Sequence, residues 1–378
     1  MIAKIVVGLG FGDEGKGTTV DYLCTTIQNS IVVRFSGGQQ AGHTVQIGDK
    51  KHIHSNFGSG TLRGIPTYFT EHCTIYPASR KREQEILLDK GVTPMLYYHP
   101  LAKITTPYDV AWNKINSQNL EHGTCGMGVG ATMKRNESPF KLNVIDLADM
   151  RIFTQKLNVI HKYYQELLKL EVPWKINMYN DIVEKDEEDF LEGCKMAGYV
   201  RLYPELLKYQ NVVFEGSQGI LLDMDHGIFP NVTYANTTSK NAIEVCNKLK
   251  ISYEVFYVTR NYLTRHGNGW LPEGKKITLI NNEGEININN TYQGPFKVQE
   301  LDYGLLRTAL LYDKIYSGEC QKSLVVTCMD QRDKPFDYDK LLPTKFKDIY
   351  NSFSPESSSF KRLPAVWEPI ILSSTPII

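Results

Sequence analysis

A buried strand that runs directly into a cluster of glycines and then into a helix is the feature that most constrains this chain. Ala3–Leu9 is apolar and ends in glycines, Thr18–Thr26 is predicted as a helix, and Ser30–Phe35 is a second apolar strand before a glycine pair. Strand, glycine turn, helix and strand in this order are typical of a parallel sheet covered by helices. The amino-terminal part of the chain is therefore predicted to be α/β.

The strand pattern recurs later in the chain, each time before a polar or glycine-rich turn, at Asn211–Glu215, Glu254–Thr259 and Ser323–Thr327. Ile152–Leu170 has apolar side chains at helical spacing. The prediction is an α/β fold with a central, mostly parallel β-sheet flanked by helices, in which residues 1–378 form a single domain with loop insertions. Residues 281–294 and 352–359 are predicted as mobile loops. Ligands are expected at the carboxyl ends of the strands.

Charge and cysteine content exclude several classes of protein. Lys plus Arg and Asp plus Glu both number 42, so the formal net charge is zero, which argues against nucleic-acid binding through a basic face. No stretch approaches the roughly 18 apolar residues of a membrane span. The seven cysteines include no Cys-x-x-Cys pair, so neither a disulfide framework nor a zinc knuckle is indicated. The amino terminus does not resemble a signal peptide, and a cytoplasmic location is predicted.

The first turn is the strongest candidate for a phosphate site. Within Gly10–Gly17, called the glycine loop below, the residues up to Lys16 match the pattern G-x-x-x-x-G-K. Its backbone N–H groups, the following helix N-terminus and the lysine can all bind phosphate. Gly17 stands where such loops usually carry the Ser or Thr that binds Mg²⁺. Asp13 repels phosphate unless it holds a metal or takes a proton from substrate. The alternative is a plain glycine turn.

Three further segments carry candidate side chains. The turn after the second strand contains His43, which is either catalytic or structural. His52 and His54 share one strand face as a candidate metal pair, although no third ligand has matching spacing. Gln218 offers an amide suited to reading a purine edge, or is a polar loop residue. The two arginines of Val258–Arg265 suit phosphate or carboxylate capture, or else lie on a solvated face.

Taken in order, these segments resemble the adenylosuccinate synthetase family. The matching motifs are GFGDEGKG, GGQQAGHT, HGTCGMGVG, FEGSQGILLDMDHGIFPNVT and VTRNYLTRHGNG. The resemblance implies a P-loop-related fold and a homodimeric ligase that makes adenylosuccinate from IMP and L-aspartate, driven by GTP with Mg²⁺. Its partners would then be small molecules, namely a purine nucleoside monophosphate, L-aspartate and a nucleoside triphosphate, with no nucleic acid and no membrane.

The resemblance also implies roles for individual residues. Asp13 is expected to remove the N1 proton of the purine and to ligate Mg²⁺ together with the backbone of Gly42. His43 is expected to be the acid that assists phosphoryl transfer from GTP to O6, and Lys16 and Gln218 complete the catalytic set. Further substrate contacts are expected from Glu14, Gly15, Gln40, Ala41, Thr124, Cys125, Arg135, Thr233 and Lys297. Contacts to the nucleotide donor are expected from Gly12, Gly15, Lys16, Gly17, Thr18, Gly42, Thr44 and Asp330, the last at the guanine.

Several positions depart from the family pattern. Gln40 replaces an asparagine, and Cys125 replaces the second of two threonines. Cys328 replaces the lysine of the guanine-reading motif, which leaves ATP open as a donor beside GTP. The aspartate-binding loop, usually rich in arginine, keeps Lys297 as its only cation. Arg135 is the candidate for the arginine that is donated across the dimer.

The length of the chain and its segment Asn290–Lys297 resemble the compact archaeal and phage branch of the family. That branch includes phage enzymes that act on dGMP, many of which carry a small hydroxyl residue at the position of Asp13. Because Asp13 is retained here, IMP is the predicted substrate. A phage-type enzyme that uses dGMP with ATP, dATP or GTP is the first alternative, and a catalytically silent nucleotide-binding relative is the second.

Overall fold

The computed structural model describes residues 1–117, 124–195, 200–267, 269–281 and 295–363. Most of the loop predicted at 281–294, and with it the first part of the aspartate-binding loop, lies outside the described residues.

Strands and helices alternate along much of the described chain. The strands are β1 Ile2–Gly8, β2 Ser30–Arg34, β3 His43–Ile47, β4 Lys50–His54, β5 Thr67–Phe69, β6 Thr74–Ile75, β7 Leu96–Tyr98, β8 Lys103–Ile104, β9 Asn211–Glu215, β10 Ser252–Arg260, β11 Leu263–His266, β12 Phe296–Gln299, β13 Gln321–Thr327, β14 Asp348–Asn351 and β15 Lys361–Arg362. The helices are α1 Lys16–Thr25, α2 Pro77–Asp89, α3 Pro107–Ser117, α4 Val129–Glu137, α5 Met150–Leu168, α6 Pro173–Cys194, α7 Lys240–Leu249 and α8 Tyr303–Ser317.

A nine-stranded sheet forms the centre of the molecule, in the order β15-β14-β13-β10-β1-β9-β2-β5-β7. Its neighbouring strands are parallel except for the edge pair β14 and β15. The prediction of a mostly parallel central sheet flanked by helices is therefore confirmed. The five strands predicted from sequence correspond to β1, β2, β9, β10 and β13, which are adjacent in the sheet.

β1 shows why these segments form central strands. Ile5 and Val7 belong to the apolar core that includes α7 and α8, whereas Val6 belongs to the core that includes Val20 and Leu23 of α1. Successive side chains of a strand point to opposite faces, so only a continuous apolar run satisfies both layers. Each fully buried Val or Ile stabilises the fold by about 1.5–3 kcal/mol.

A third core involves the helices α2, α3, α5 and α6. The helix predicted at 152–170 is α5, and its predicted apolar face is the buried one, formed by Phe153, Leu157, Ile160, Tyr164 and Leu168. Asp149 caps this helix by accepting a hydrogen bond from the backbone N–H of Arg151. None of the helices in the described ranges combines the length and the apolar character needed to cross a bilayer.

Residues 352–359, predicted as a mobile loop, form an irregular segment that ends in one 3₁₀ turn, Ser357–Ser359, and is hydrogen-bonded to α1. Ser357 is buried, and its Oγ donates a hydrogen bond to Oδ2 of Asp21 at 2.6 Å. Asp21 also forms an ion pair with Arg63, whose Nε lies 2.6 Å from its Oδ1. Ser357 therefore holds the segment against α1, whereas Ser352 and Ser359 bond within the segment, and a serine-rich composition alone does not separate these roles from disorder.

Candidate active site

The carboxyl ends of five neighbouring strands meet at one edge of the central sheet. These strands are β13, β10, β1, β9 and β2. The segments that follow them, in the same order, are 328–330, 261–266, 10–17, 216–219 and 36–43. Because parallel strands end at the same edge, segments far apart in sequence become neighbours in space. The predicted catalytic residues all lie in or directly beside these segments.

The glycine loop connects β1 to the N-terminus of α1 and has an unusual backbone. Gly12, Asp13 and Gly15 have φ angles of 95°, 59° and 89°, a region that favours glycine and that Asp tolerates better than most residues. Thr327, at the end of β13, donates its hydroxyl to the carbonyl oxygen of Glu14 at 2.7 Å. A Cβ at Gly15 would lie 2.8 Å from the methyl carbon of Thr327. Glycines and a neighbouring strand therefore fix the loop together.

Glu14 lies inside the glycine loop and is 4% exposed. Its Oε1 accepts hydrogen bonds from the backbone N–H groups of Gly10 at 2.6 Å and Gly12 at 3.1 Å, and its Oε2 lies 3.2 Å from Nζ of Lys16. These are donors that the sequence assigned to phosphate. The structure therefore places Glu14 on the loop's own donors, and not toward open space, where the predicted substrate contact would need it.

Asp13 has the most accessible carboxylate of the loop, with about 30% of its side chain exposed. Its backbone carbonyl accepts a hydrogen bond from Nε of Arg260. Its Oδ2 lies 3.3 Å from Nε2 of His266 on β11, and the His266 ring packs against Phe296 at 4.8 Å. His266 is not among the residues predicted from the sequence, although it lies within the motif VTRNYLTRHGNG. The candidate base is thus held through its main chain and contacted through its side chain.

His43, at the start of β3, forms a buried pair with Glu215 at the end of β9. Its Nδ1 lies 2.6 Å from Oε1 of Glu215. The hydroxyl of Ser59 also donates to Oε1, and the N–H of Ser59 donates to Oε2 at 3.1 Å. Burial opposes ionisation of Glu215, but the nearby His43 and Arg34 outweigh it and lower its pKa to about 2. An ionised carboxylate only accepts, so Nδ1 of His43 carries a proton and Nε2 remains for a ligand.

The His43 ring itself is neutral near pH 7 in the absence of ligand. Burial lowers its pKa, and the charge of Glu215 offsets this only in part. Sequence analysis missed Glu215 as a partner because the two residues are 172 positions apart. The available signal was its place at the end of a buried strand, immediately before Gly216.

The whole arrangement lies within a segment that matches a known family. A family model described as adenylosuccinate synthetase matches residues 5–330.

The chain belongs to the adenylosuccinate synthetase family.

Individual relatives agree with this assignment. The adenylosuccinate synthetase of Marinomonas sp. (strain MWYL1) is 32% identical over 299 residues, which cover 74% of this chain and 66% of the relative. That of Thermoplasma volcanium is 30% identical over 328 residues, which cover 82% and 73%. The chain therefore spans about two thirds of the length of the first relative and somewhat more of the second. The family resemblance inferred from the sequence motifs is confirmed.

Solved structures share the adenylosuccinate synthetase fold. The fully ligated adenylosuccinate synthetase from Plasmodium falciparum superposes with a TM-score of 0.64 at 21% identity, covering 96% of this chain and 87% of that chain. The cyanophage S-2L succinoaminodeoxyadenylate synthetase (PurZ), bound to dGMP and dATP, superposes with a TM-score of 0.66 at 16% identity, covering 96% and 95%. At such identities, the comparison speaks to the fold alone.

Gly17 is explained by the packing of this adenylosuccinate synthetase family member. A Cβ at Gly17 would lie 2.9 Å from the carbonyl oxygen of Thr44 and 3.0 Å from Cβ of His43. A serine or threonine would push away the strand that carries the candidate acid. The hydroxyl common in other phosphate loops is therefore excluded by the close approach of β3.

Two amides, one beside the glycine loop and one in the turn after β2, have buried polar atoms without a hydrogen-bond partner among the described residues. In Gln218 the atom is Oε1, and in Gln40 both Oε1 and Nε2 lack a partner. Gln218 also has a φ of 37°, and its Cα lies 3.6 Å from where a Cβ of Gly12 would stand. Because unpaired buried polar groups are costly, these amides are ready to bind a ligand. Next to Gln40, Ala41 is buried and Gly42 is exposed.

The predicted threonine loop meets the turn after β2. Thr124 donates its hydroxyl to Oδ1 of Asn113 at 3.2 Å, and Cys125 beside it is half-buried. Gln39 donates to the carbonyl oxygen of Met127 at 2.6 Å, which joins this loop to the segment that carries His43. Substrate contact by Thr124 and Cys125 stays a prediction.

Other predicted residues lie at the margins of this edge. Lys297 is the register partner of Arg265 across β11 and β12, and its Nζ lies 3.2 Å from the carbonyl oxygen of Gly269. Asp330 lies in the turn after β13, where Oδ2 accepts from Nε2 of Gln331 at 2.9 Å. Thr233 and Thr18 are both held by neighbouring segments. The backbone N–H of Thr233 donates to the carbonyl oxygen of Leu222 at 2.8 Å, and the hydroxyl of Thr18 donates to the carbonyl oxygen of Pro355 at 3.2 Å.

The prediction that Arg135 reaches across a dimer is wrong. Arg135 is 2% exposed, and its guanidinium pairs with both oxygens of Asp109, at 2.8 Å and 3.0 Å. It also donates to the carbonyl oxygens of Phe140 at 2.6 Å and Ile104 at 2.7 Å. A guanidinium that is committed to one carboxylate and two carbonyls inside its own core has no reach to another subunit.

The arginine pair of Val258–Arg265 does not form a solvated face. Arg260 and Arg265 are 8% and 2% exposed. Arg260 holds the backbone of the candidate base, as described above, whereas Arg265 stacks its guanidinium 4.2 Å from the centre of the Phe11 ring. Burial lowers the pKa of Arg265 to about 10, and no carboxylate in the described ranges forms an ion pair with it. Its Nη1 and Nη2 donate hydrogen bonds to the backbone carbonyl oxygens of Trp270 and Asn231, the latter at 3.3 Å, and capture of an anionic group by this arginine stays a prediction.

Proposed function

We propose that this chain is a ligase that joins L-aspartate to C6 of IMP with hydrolysis of GTP, through a 6-phosphoryl purine intermediate, to give adenylosuccinate. The observation that carries the proposal is the convergence of the Asp13 carboxylate, the glycine loop with Lys16, and the His43–Glu215 pair at one sheet edge in a member of this family. A homodimeric assembly and a cytoplasmic location belong to the same proposal and rest on the family resemblance.

The chemistry needs a base, a cationic cradle and an acid. The O6 atom of a neutral 6-oxopurine is a weak nucleophile. The same oxygen is also a poor leaving group when it departs from C6 as hydroxide. Removal of the N1 proton by Asp13 places negative charge on O6, which then attacks the terminal phosphorus of the donor. The amine of aspartate displaces the phosphorylated oxygen as phosphate. Lys16 and the backbone N–H groups of the loop stabilise the transferred charge.

His43 fits the part of the acid in this proposal. With Nδ1 held by Glu215, its Nε2 is the nitrogen that can exchange a proton with a ligand. A bound polyphosphate would raise the pKa of the ring, because negative charge favours the cationic form. Glu215 stabilises that cation from the other side, so the pair supplies a proton donor only when an anionic ligand is present.

Mg²⁺ fits the oxygen donors at this edge. The carboxylate of Asp13 is partly exposed and the backbone of Gly42 is exposed, and hard cations prefer such oxygens. When bound, the ion would neutralise negative charge on the transferring phosphate. Arg260 holds the backbone of the base, Asp13, and Glu215 holds the ring of the acid, His43.

A phage-type activity on dGMP is the second candidate. It rests on the resemblance of the segment Asn290–Lys297 to the compact archaeal and phage branch of the family. Retention of Asp13, where many of those enzymes carry a small hydroxyl residue, favours IMP. The two are separated by comparing kcat/KM for IMP and dGMP with each of GTP, ATP and dATP as donor.

The proposal is tested by mixing the chain with IMP, L-aspartate, Mg²⁺ and GTP and measuring adenylosuccinate and phosphate. We expect both products in equal amounts, and neither when aspartate is omitted. Product only with dGMP would replace the proposal by the second candidate. Nucleotide binding without product, in every combination of acceptor and donor, would identify a catalytically silent relative.

His266→Ala is expected to lower kcat for IMP by roughly fivefold, because loss of this one polar contact of Asp13 costs about 1 kcal/mol. KM for GTP should change little, since His266 contacts the base and not the cradle. Steady-state kinetics with varied IMP and GTP measures this, and His266→Gln should restore part of the loss. His161→Ala, at a half-buried position of α5 whose ring stacks on Tyr108, is the control. An unchanged kcat for His266→Ala would show that this contact has no part in turnover.

Asp330→Asn is expected to reduce the preference for GTP over ATP by about 100-fold in kcat/KM, because guanine presents two N–H donors to a carboxylate and adenine presents none in that pattern. The measurement is kcat/KM for both donors in parent and variant. Asp333→Asn, at a nearby exposed position, is the matched control. A parent without preference for GTP, or a variant with the parent's ratio, would contradict this role for Asp330.

A further inference from the structure

His52, His54 and Glu83 form a buried cluster outside the site described above. The two histidines occupy alternate positions on β4, and Glu83 projects from α2. All three residues are less than 9% exposed, and one potential ligand atom from each lies within 4.8 Å of the others. The third potential ligand beside the predicted pair of His52 and His54 is therefore Glu83 of α2, whose distance along the sequence matches no known ligand spacing.

His54 is the member that points most strongly to a missing partner. It is 0% exposed, and neither Nδ1 nor Nε2 has a hydrogen-bond partner in the part of the chain that the structure describes. Its ring meets that of His52 edge-on, with centroids 4.6 Å apart. An imidazole without any partner for either nitrogen is costly to bury. A ligand that accepts a nitrogen lone pair would remove this cost.

The two oxygens of Glu83 have different surroundings. Oε2 holds the following loop by accepting from the backbone N–H of Asn56 at 2.7 Å and from its side-chain amide at 2.8 Å. Oε1 has only longer contacts, 3.1 Å to the N–H of Ser55 and 3.3 Å to Nε2 of His52. Oε1 can therefore leave these partners for a cation, while Oε2 keeps the carboxylate oriented.

We propose that His52, His54 and Glu83 bind one Zn²⁺ ion that ties the hairpin of β3 and β4 to α2. Two imidazole nitrogens and one carboxylate oxygen are a set that zinc accepts, with a water at the fourth position, whereas Mg²⁺ prefers oxygen alone. Around a tetrahedral zinc ion such atoms stand about 3.3 Å apart, so the three side chains move together slightly on binding.

The consequence for the active site follows from the strand register. His54 pairs directly with His43 across β3 and β4. An ion that anchors His54 to α2 therefore also fixes the strand that presents His43 to Glu215. The ion is a structural support for this histidine and takes no part in the reaction, so its binding is measurable whether or not the chain makes adenylosuccinate.

Lys90 opposes the ion and provides a sharp test. Its Nζ lies 3.1 Å from Nδ1 of His52 and donates to the carbonyl oxygen of Lys51 at 2.8 Å. While the lysine donates to Nδ1, the proton of the ring must sit on Nε2, facing Glu83. Zinc at Nε2 moves that proton to Nδ1 and breaks the lysine contact. Removing the ammonium should therefore tighten binding.

The experiment titrates the full chain, freed of metal by a chelator, with Zn²⁺ in competition with a chromophoric chelator. We expect one Zn²⁺ per chain, no displacement by excess Mg²⁺, and visible absorption bands of low-symmetry Co²⁺ when Co²⁺ replaces zinc. His54→Gln and Glu83→Gln should weaken binding by at least about 100-fold, and Lys90→Gln should tighten it by about tenfold. His72→Gln, in the more exposed cluster with Glu71 and Glu244, is the matched control and should bind as the parent does.

Circular dichroism and thermal unfolding establish that each variant is folded. The parent's Co²⁺ spectrum and the tightening in Lys90→Gln remain informative even if His54→Gln does not fold. The proposal is overturned if the parent binds no stoichiometric Zn²⁺, if binding persists in folded Glu83→Gln, or if His72→Gln abolishes it. Weaker binding by Lys90→Gln would also refute it.

Discussion

Asp13→Asn is expected to reduce turnover by about 10³-fold, within the range for removal of a general base, while IMP and GTP still bind within a fewfold of the parent. An amide of nearly the same shape does not take the N1 proton. The fold should persist, because Asn tolerates the φ of 59° as well as Asp does and the hydrogen bond from Arg260 goes to the backbone. Product formation gives kcat, and calorimetric titration gives the affinities.

Asp49→Asn is the matched control for this substitution. Asp49 lies exposed in the turn between β3 and β4, so the same change there should leave kcat and both affinities unaltered. If Asp13→Asn kept turnover within about tenfold of the parent, the carboxylate would not be the base. Loss of IMP binding together with turnover would instead point to a positioning role.

Glu215→Gln is expected to lower the free energy of unfolding by about 3 kcal/mol, the usual cost of breaking a buried charge pair by removing one partner, and kcat by about 100-fold. Arg34 is fully buried and donates to the carbonyl oxygens of Phe57 and Ala41 at 3.2 Å and 3.1 Å. The substitution removes the negative charge that compensates this cation. It also removes the anion that stabilises protonated His43. Urea unfolding and steady-state kinetics measure the two effects.

The control for stability is Glu166→Gln, whose ion pair with Lys169 is on the surface, with 69% of the Glu166 side chain exposed. Exposed pairs contribute roughly 0–1 kcal/mol, so this variant should unfold at nearly the parent's urea midpoint. Parental stability of Glu215→Gln would show that the charge of Glu215 does not compensate Arg34.

The same variant carries a pH signature. The pKa of Glu215 is about 2 in the folded chain and about 4.3 in an unfolded one, so below pH 4.3 the unfolded chain binds the extra proton. The stability that Glu215 provides is present above that pH and is lost as the pH falls toward 2. The parent should therefore lose stability more steeply between about pH 4.5 and 2 than Glu215→Gln, as followed by urea midpoints.

Local sequence patterns predicted the core of the fold well. A run such as IVVG must be a strand buried on both faces, and the face of α5 follows from the spacing of Phe153 and its neighbours. Both features depend only on the residues within a single strand or helix. The segments around β5, β7 and the helices α2, α3 and α6 alternate apolar and charged residues less regularly, so local patterns did not reveal them.

The candidate site was predicted where one segment contains all of its chemistry, as in the glycine loop. It was missed where two distant segments meet. The pairs of His43 with Glu215 and of Asp13 with His266 depend on which strands are neighbours in the sheet. Arg135 was misplaced for a related reason, since residue type alone does not tell whether an arginine faces solvent or a buried carboxylate.

The contact between Gly15 and Thr327 has a thermodynamic consequence. Gly15 lies in the loop proposed to bind phosphate, and Thr327 lies at the end of the strand proposed to meet the base of the nucleotide donor. The two residues are in direct contact. Changes at these two positions should therefore be non-additive, with a coupling energy on the order of 1 kcal/mol in a double-mutant cycle. A substitution that changes the selection of the nucleobase would then also change the binding of the phosphates.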